Sequence, residues 1–250
     1  MTADPRLIVH ATTLRDLHGD GMLVLPNAWD AASARVVVEC GFPVVATPSN
    51  GIAAMLGHPD GQGAPWQEMF AAAARIVRAV PVPVTVDAEG GYGMSPRELV
   101  DRLLEIGAAG CNLEDTDHGS GGLVEAGAHA RWLAGVRSAT EDAGVPIVIN
   151  ARVDTFLASS GVPEADRVAD AVRRGRLYRE AGADCIYPIG VRSRSDLAAL
   201  VGELPGPVNG NVGPELDLAA LRELGVARVS YGPRFYHAAI AGFREAIQQL

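Results

Sequence analysis

The sequence has no lysine: all 21 basic residues among its 250 are arginine. Schiff-base aldolases, pyridoxal-phosphate enzymes and P-loop nucleotide hydrolases all need an ε-ammonium group, so these three classes are excluded. The 30 acidic residues leave a net charge of −9. Because binding to nucleic acid needs clustered positive charge, nucleic acid is not an expected partner.

Cysteine is scarce, and long hydrophobic runs are missing. The three cysteines, Cys40, Cys111 and Cys185, are far apart and form no CxxC pair. We therefore expect reduced core thiols in a cytoplasmic protein, not a zinc site or a disulfide framework. The sequence does not begin with the charged segment and following apolar segment that are typical of a signal peptide, and no stretch of ~20 apolar residues occurs. We expect neither export by that route nor a membrane partner.

What the sequence has instead is an alternation of short apolar runs with helical patterns. The eight runs are typical of strands buried on both faces; they cover residues 22–26, 44–47, 82–86, 110–113, 147–150, 185–188, 207–209 and 228–231. Eight helical patterns follow them, at residues 31–40, 66–79, 95–106, 128–142, 165–181, 194–201, 216–224 and 234–249. This count predicts an α/β fold, a single-domain (β/α)8 TIM barrel over residues 1–250. The alternative, a doubly wound open sheet, would more often carry a glycine-rich loop after its first strand.

Acidic residues follow two neighbouring strands of the predicted barrel. Asp87 and Glu89 follow the third run, and Glu114 and Asp115 follow the fourth. The C-terminal ends of barrel strands meet at one face, and several carboxylates there need a compensating cation. An oxygen-liganded divalent ion such as Mg²⁺, with Mn²⁺ as its substitute, fits this set. The alternative is that the acids cap the helices that follow.

Other polar residues lie after neighbouring strands. Arg152 follows the fifth run, where its guanidinium either pairs with nearby acids or binds a substrate carboxylate. Ser49 and Gly51, in the loop after the second run, either offer hydroxyl and N–H groups to an anion or form an ordinary turn. Residues 116–127 are rich in glycine and predict a mobile lid. On that lid, His118 is either an acid–base residue or a solvated one.

Six segments, taken in this order and spacing, resemble the isocitrate lyase/phosphoenolpyruvate mutase superfamily: residues 25–30, 49–51, 56–60, 87–93, 114–115 and 150–154. The resemblance implies a (β/α)8 barrel that binds Mg²⁺ and makes or breaks C–C or P–C bonds of 2-oxo or 2-hydroxy acids. It also implies residue roles. The metal would be held by Asp87, Glu89 and Glu114, one carboxylate or phosphonate by Ser49, Asn50 and Gly51, and another acidic group by Arg152, with Asp60 near the reacting centre. We add Asn209, at the end of the seventh run, as a substrate-binding residue.

The sequence departs from the named enzymes of this superfamily in the lid. Residues 116–127 contain neither the cysteine of isocitrate and methylisocitrate lyases nor the lysine of phosphoenolpyruvate mutases. We predict a Mg²⁺-dependent lyase or decarboxylase for a small 2-oxo or 2-hydroxy di-acid. The alternatives are a phosphonate enzyme and a barrel that binds an oxo-acid without catalysis. The resemblance also implies a homo-oligomer, a dimer or tetramer.

Overall fold

The computed structural model describes residues 4–250. Their eight strands are β1 (Leu23–Leu25), β2 (Val45–Ala46), β3 (Val84–Asp87), β4 (Gly110–Glu114), β5 (Val148–Val153), β6 (Cys185–Pro188), β7 (Asn209–Asn211) and β8 (Arg228–Ser230). Their ten α-helices are α1 (Pro5–Asp16), α2 (Ala31–Glu39), α3 (Ser49–Leu56), α4 (Trp66–Ala79), α5 (Pro96–Ile106), α6 (Ala126–Asp142), α7 (Arg167–Glu180), α8 (Arg194–Glu203), α9 (Leu218–Glu223) and α10 (Arg234–Gln248). No helix in this part of the chain is long and apolar enough to span a bilayer.

The eight strands form one ring of parallel neighbours. Strands β2 to β6 are hydrogen-bonded in chain order, and β7, β8 and β1 form the other arc. Two parallel bridges join the arcs: Asn27 pairs with Ala46 beside β1 and β2, and Ile186 pairs with Val208 beside β6 and β7. The predicted (β/α)8 barrel is therefore confirmed, and the C-terminal ends of all eight strands lie at one face.

The strands are buried on both sides because helices cover the ring and side chains fill it. In β5, for example, Val148, Ile149 and Ala151 have no exposed surface. Helix α1, which the sequence analysis missed, closes the N-terminal end of the barrel. A Cβ added at Gly110, the first residue of β4, would lie 2.7 Å from Leu14 Cδ2 of this helix. The close approach explains why β4 begins with glycine.

Two further segments differ from the prediction. Residues 49–56, interpreted as a loop, form α3, whose Ser49, Gly51, Ile52 and Ala53 are all buried. The buried face of this short helix includes a serine and a glycine, so the sequence shows no continuous apolar stripe that would reveal a helix. The prediction of three core thiols is wrong for Cys40, which is exposed, whereas the other two cysteines are buried. Cys40 is the C-cap residue of α2, where the chain turns outward before β2.

Candidate active site

A small cavity opens at the C-terminal face of the barrel. Its volume is about 130 Å³, and polar side chains from the ends of several strands line much of its wall: Asn27, Ser49, Asn50, Asp60, Asp87, Asn112, Arg152, Tyr187 and Ser230. The cavity therefore suits a small polar molecule.

The three acids predicted to hold a metal lie at this face. Asp87, at the end of β3, accepts hydrogen bonds through Oδ2 from Ser49 N (3.3 Å) and through Oδ1 from Glu89 N (3.3 Å). Glu89 is buried and accepts from the Tyr92 hydroxyl at 2.7 Å. Burial raises the pKa of Glu89 to about 7, with a further contribution from the charge of Asp87, although the bond from Tyr92 opposes the rise. Burial likewise raises the pKa of the Asp87 carboxyl.

Arg152 joins the cavity to the acids. Its Nε and Nη2 donate to the two carboxylate oxygens of Asp154 at 2.7 Å each, and Nη2 also contacts Glu114 Oε2. Burial lowers the pKa of Arg152, but the charges of Asp154 and Glu114 outweigh it and hold that pKa well above its usual value. Arg152 is therefore paired with acids, as one interpretation predicted. It also lines the cavity, where the other interpretation would have it bind a substrate carboxylate.

The N-terminal turn of α3 forms another part of the cavity wall. Ser49 and Asn50 line the cavity, and Gly51 lies in the same turn. Asp60 also lines the cavity, and its Oδ2 accepts from Asn50 Nδ2 at 3.3 Å. The structure thus brings this predicted anion-binding group together with Asp60. Because Ser49, Asn50 and Gly51 lie at the N-terminus of α3, the helix dipole adds a partial positive charge to their N–H donors.

The predicted lid begins as a short hairpin. Thr116 pairs with Leu123 in an antiparallel bridge, and Asp117 N donates to the Gly122 carbonyl at 3.0 Å. The last two residues of the predicted lid already belong to α6. The hairpin places His118 over the acids, where its Nε2 hydrogen-bonds Glu114 Oε1. That bond raises the pKa of His118, although burial opposes the rise.

A group of potential metal ligands lies beside the cavity. One ligand atom each from Glu89, Glu114 and His118 lie within 4.8 Å of one another. Two carboxylates and an imidazole are a donor set that suits a divalent cation. Glu89 and Glu114, two of the three predicted metal ligands, are therefore together, and His118 is the third member of the group. Asp87, the remaining predicted ligand, lies outside this group but next to it, since its Oδ1 accepts from Glu89 N.

Beneath the cavity lies a layer of polar side chains that the sequence analysis largely missed. Asn209, predicted to bind substrate, is fully buried, and its Oδ1 accepts from Asn150 Nδ2 (3.3 Å) and Ser230 Oγ (3.0 Å). Asn112 Oδ1 accepts from Asn150 Nδ2 (2.8 Å) and from Nη2 of the fully buried Arg228 (3.1 Å). The signal that could have revealed this layer is the presence of polar residues within otherwise apolar strands.

Comparisons with known proteins found similar sequences along nearly the whole chain. The model of the phosphoenolpyruvate phosphomutase family matches residues 14–250. An oxaloacetate decarboxylase from Bradyrhizobium diazoefficiens is 31% identical over 238 residues, which cover 92% of this chain and 80% of that protein.

Solved structures are also similar along nearly the whole chain. A candidate phosphonomutase from Burkholderia cenocepacia matches with a TM-score of 0.90 and 38% identity, covering 97% of this chain and 100% of that one. Oxaloacetate acetylhydrolase in complex with oxalate matches with a TM-score of 0.86 and 26% identity, covering 96% and 86%.

Proposed function

This chain belongs to the phosphoenolpyruvate phosphomutase family, and from that membership we propose that it is a divalent-cation-dependent lyase for a small 2-oxo di-acid. The reaction we propose is decarboxylation of an oxaloacetate-type substrate. Two relatives support this choice of substrate, since one is an oxaloacetate decarboxylase and another is an oxaloacetate acetylhydrolase.

The observation that carries the proposal is the pairing of two anion-binding features in one small cavity. Arg152 lines one part of its wall and the N-terminal turn of α3 lines another. A guanidinium and a helix N-terminus each bind carboxylates, so a di-acid has a group for each of its ends. Asp154 already occupies the Nε–Nη2 edge of Arg152, and Asp87 already accepts from Ser49 N at the start of α3. One substrate carboxylate would therefore use the Nη1 side of the guanidinium, and the other would use the N–H groups that follow Ser49.

In this proposal, protein groups orient the substrate for loss of one carboxyl group. The C3–C4 bond of the oxo di-acid breaks, C4 leaves as CO2, and a proton takes its place at C3. The electron pair of the broken bond moves toward the 2-oxo oxygen. Glu89 and Glu114, with His118 beside them, would hold a divalent cation, Mg²⁺ or Mn²⁺. Such a cation supplies a Lewis acid that stabilises the charge developing on this oxygen.

A second candidate function is cleavage or rearrangement of a P–C bond. It is favoured by the similarity to the candidate phosphonomutase from Burkholderia cenocepacia. The cavity does not by itself distinguish the two, because N–H donors and a guanidinium bind phosphonates as well as carboxylates.

A product assay separates these reactions. Chelator-treated protein is incubated with oxaloacetate or phosphonopyruvate, with and without added Mg²⁺ or Mn²⁺, and pyruvate, oxalate, phosphoenolpyruvate and inorganic phosphate are measured against a protein-free control. Cation-dependent release of pyruvate from oxaloacetate above that control, without oxalate, is the expected result. Oxalate release would indicate hydrolysis, release of phosphate or formation of phosphoenolpyruvate would indicate a phosphonate enzyme, and no product from either compound would refute both reactions.

A further inference from the structure

His118 lies on the lid hairpin but is directed inward, toward the buried acids. The residue as a whole is exposed, but its side chain is only 21% exposed, and Nε2 contacts Oε1 of Glu114, whose side chain is 2% exposed. Gly61 lies beside the ring, since a Cβ added there would lie 3.3 Å from His118 Nδ1. One nitrogen of the imidazole therefore lies on the side of Gly61 and the other faces the acids.

The three potential donor atoms are close enough to share one ion. Ligand atoms of Glu89, Glu114 and His118 lie within 4.8 Å of one another. Oxygen and nitrogen ligands about 2.1 Å from a common ion lie at most about 4.2 Å apart, so small side-chain movements suffice. Both carboxylates are buried, at 2% and 3% residue exposure.

The carboxylates of this region outnumber the positive charges that the protein provides there. Asp87, Glu114 and Asp154 lie around Arg152, and Glu89 lies near Asp87 and Glu114. The Arg152 guanidinium is already engaged by Asp154 and Glu114, and a protonated His118 beside Glu114 would add only one further charge. Buried carboxylates without a counter-charge are costly. A divalent ion between Glu89 and Glu114 would supply the missing charge, and His118 is positioned to complete its protein ligands.

We propose that His118 is a metal ligand in this protein, and that its nitrogen makes the site prefer Mn²⁺ to Mg²⁺. This inference rests on the cation-dependent function proposed above and names a ligand for that cation. Imidazole binds transition-metal ions readily, whereas Mg²⁺ prefers oxygen ligands and retains water. Under this proposal, His118 does not serve as the acid–base residue, because the ring nitrogen that faces the site is bound to the metal.

The experiment is a direct measurement of nitrogen on bound Mn²⁺. Electron spin echo envelope modulation is recorded for the Mn²⁺-loaded full chain in the absence of substrate. We expect modulation from a ¹⁴N nucleus in the wild-type protein, and its loss in His118→Asn. The matched control is His58→Asn, since His58 precedes Asp60 but contacts Glu68 (3.8 Å) instead of the acids. This control is expected to keep the modulation.

A second measurement needs no variant. When histidine alone is labelled with ¹⁵N, the modulation of the wild-type protein should change to that of ¹⁵N. Calorimetry should show Mn²⁺ binding weakened by about tenfold or more in His118→Asn, and Mg²⁺ binding changed by less than about threefold.

The outcomes separate this inference from the proposed function. Bound Mn²⁺ without histidine modulation, or modulation that persists in His118→Asn, would overturn the role of His118 and leave the reaction untouched. Histidine modulation in a protein that releases no pyruvate from oxaloacetate would support the ligand and refute the reaction. Failure of the wild-type protein to bind Mn²⁺ would overturn the inference, and failure to bind Mg²⁺ as well would remove the cation from the proposed function.

Discussion

At the scale of single residues, charged side chains in the barrel differ in how they are balanced. Arg152 is balanced by the carboxylates of Asp154 and Glu114. Arg228, by contrast, is fully buried, and Nη2 donates to the neutral groups Asn112 and Thr85. Burial lowers the pKa of Arg228 accordingly. Substitutions at such positions therefore change the charge balance of the interior as well as local contacts.

Substitution of Arg152 by lysine should not preserve activity. Lysine keeps the charge, but a single ammonium cannot pair with both oxygens of Asp154 and still reach a substrate carboxylate. We expect kcat/KM to fall by at least about tenfold, which is ~1.4 kcal/mol of transition-state stabilisation. Steady-state kinetics measures this effect, and thermal unfolding reports whether the variant is folded. The control is Arg97→Lys, at an exposed pair with Asp101; turnover and KM close to wild type in Arg152→Lys would contradict the role.

A buried histidine should make the fold sensitive to acid. Burial lowers the pKa of His129 to about 4, and the charge of Arg174 adds to this effect. The unfolded chain, with a histidine pKa near 6.5, takes up the proton first as pH falls. The stability is therefore fully present above about pH 6.5 and is lost as pH falls toward 4. Between pH 8 and pH 5 this histidine alone should cost roughly 2 kcal/mol.

The substitution His129→Phe tests that linkage. His129 lies between the rings of Trp132 and Tyr178, with centroid distances of 5.7 and 5.0 Å, so phenylalanine keeps the aromatic packing. Urea unfolding at pH 8 and pH 5 should show a smaller loss of stability in the variant than in the wild type. His10 on α1, which is only partly buried and lies outside α10, provides the control substitution. An equal loss in all three proteins would show that His129 does not titrate as expected.

At the scale of elements, most helix positions follow from local pattern, but those of α1 and α3 do not. The amphipathic α4, predicted at residues 66–79, has those bounds in the structure. The capping box formed by Ser95 and Glu98 places the start of α5 where the sequence analysis placed it. Helix α3 was missed because it is short and its buried face includes a serine and a glycine, yet it provides part of the cavity wall.

The N-terminus of α3 should tolerate no added volume. A Cβ at Gly51 would lie 3.0 Å from Pro48 Cγ and 3.3 Å from Tyr236 Cβ. We expect Gly51→Ala to displace the turn that carries Ser49 and Asn50. The main effect should be a higher KM for the oxo-acid, and the midpoint of thermal unfolding should fall only slightly. The measurement combines steady-state kinetics with a thermal unfolding curve.

Gly202 in α8 provides the matched control for Gly51→Ala. No atom lies within 4 Å of a Cβ added there. Because alanine favours helix over glycine by roughly 0.5–1 kcal/mol, Gly202→Ala should stabilise slightly and leave KM unchanged. An unchanged KM in Gly51→Ala would mean that the α3 turn does not contact substrate.

At the scale of the whole molecule, α10 carries an apolar surface with no covering partner among residues 4–250. None of its residues is buried, and Phe243 and Ile247 are 65% and 51% exposed. An apolar cavity of about 590 Å³ lies nearby, lined by residues of α2 and by Phe235 of α10. Exposed apolar surface of this kind marks an interaction site. We propose that α10 packs against a second copy of the chain in a homo-oligomer.

Charge placed on this surface should dissociate the oligomer. We expect the wild-type protein to have the mass of a dimer or tetramer by light scattering at micromolar concentration. Phe243→Glu with Ile247→Glu should give a monomer, because burying unpaired carboxylates in an interface is costly. Val9→Glu, which charges an exposed apolar residue of α1, should leave the mass unchanged. A monomeric wild-type protein would refute the proposal.

The sequence by itself determined the barrel and the face that carries the site. Runs of buried strand residues and amphipathic helices are local patterns, and a chain of this length with eight of each closes as a (β/α)8 barrel. The positions of Asp87, Glu89, Glu114 and Arg152 after strands then followed from chain order. Only the tertiary structure decided which of these groups meet. It joined His118 to Glu89 and Glu114, because the distance between side chains on different loops depends on how those loops pack and not on their spacing in the chain.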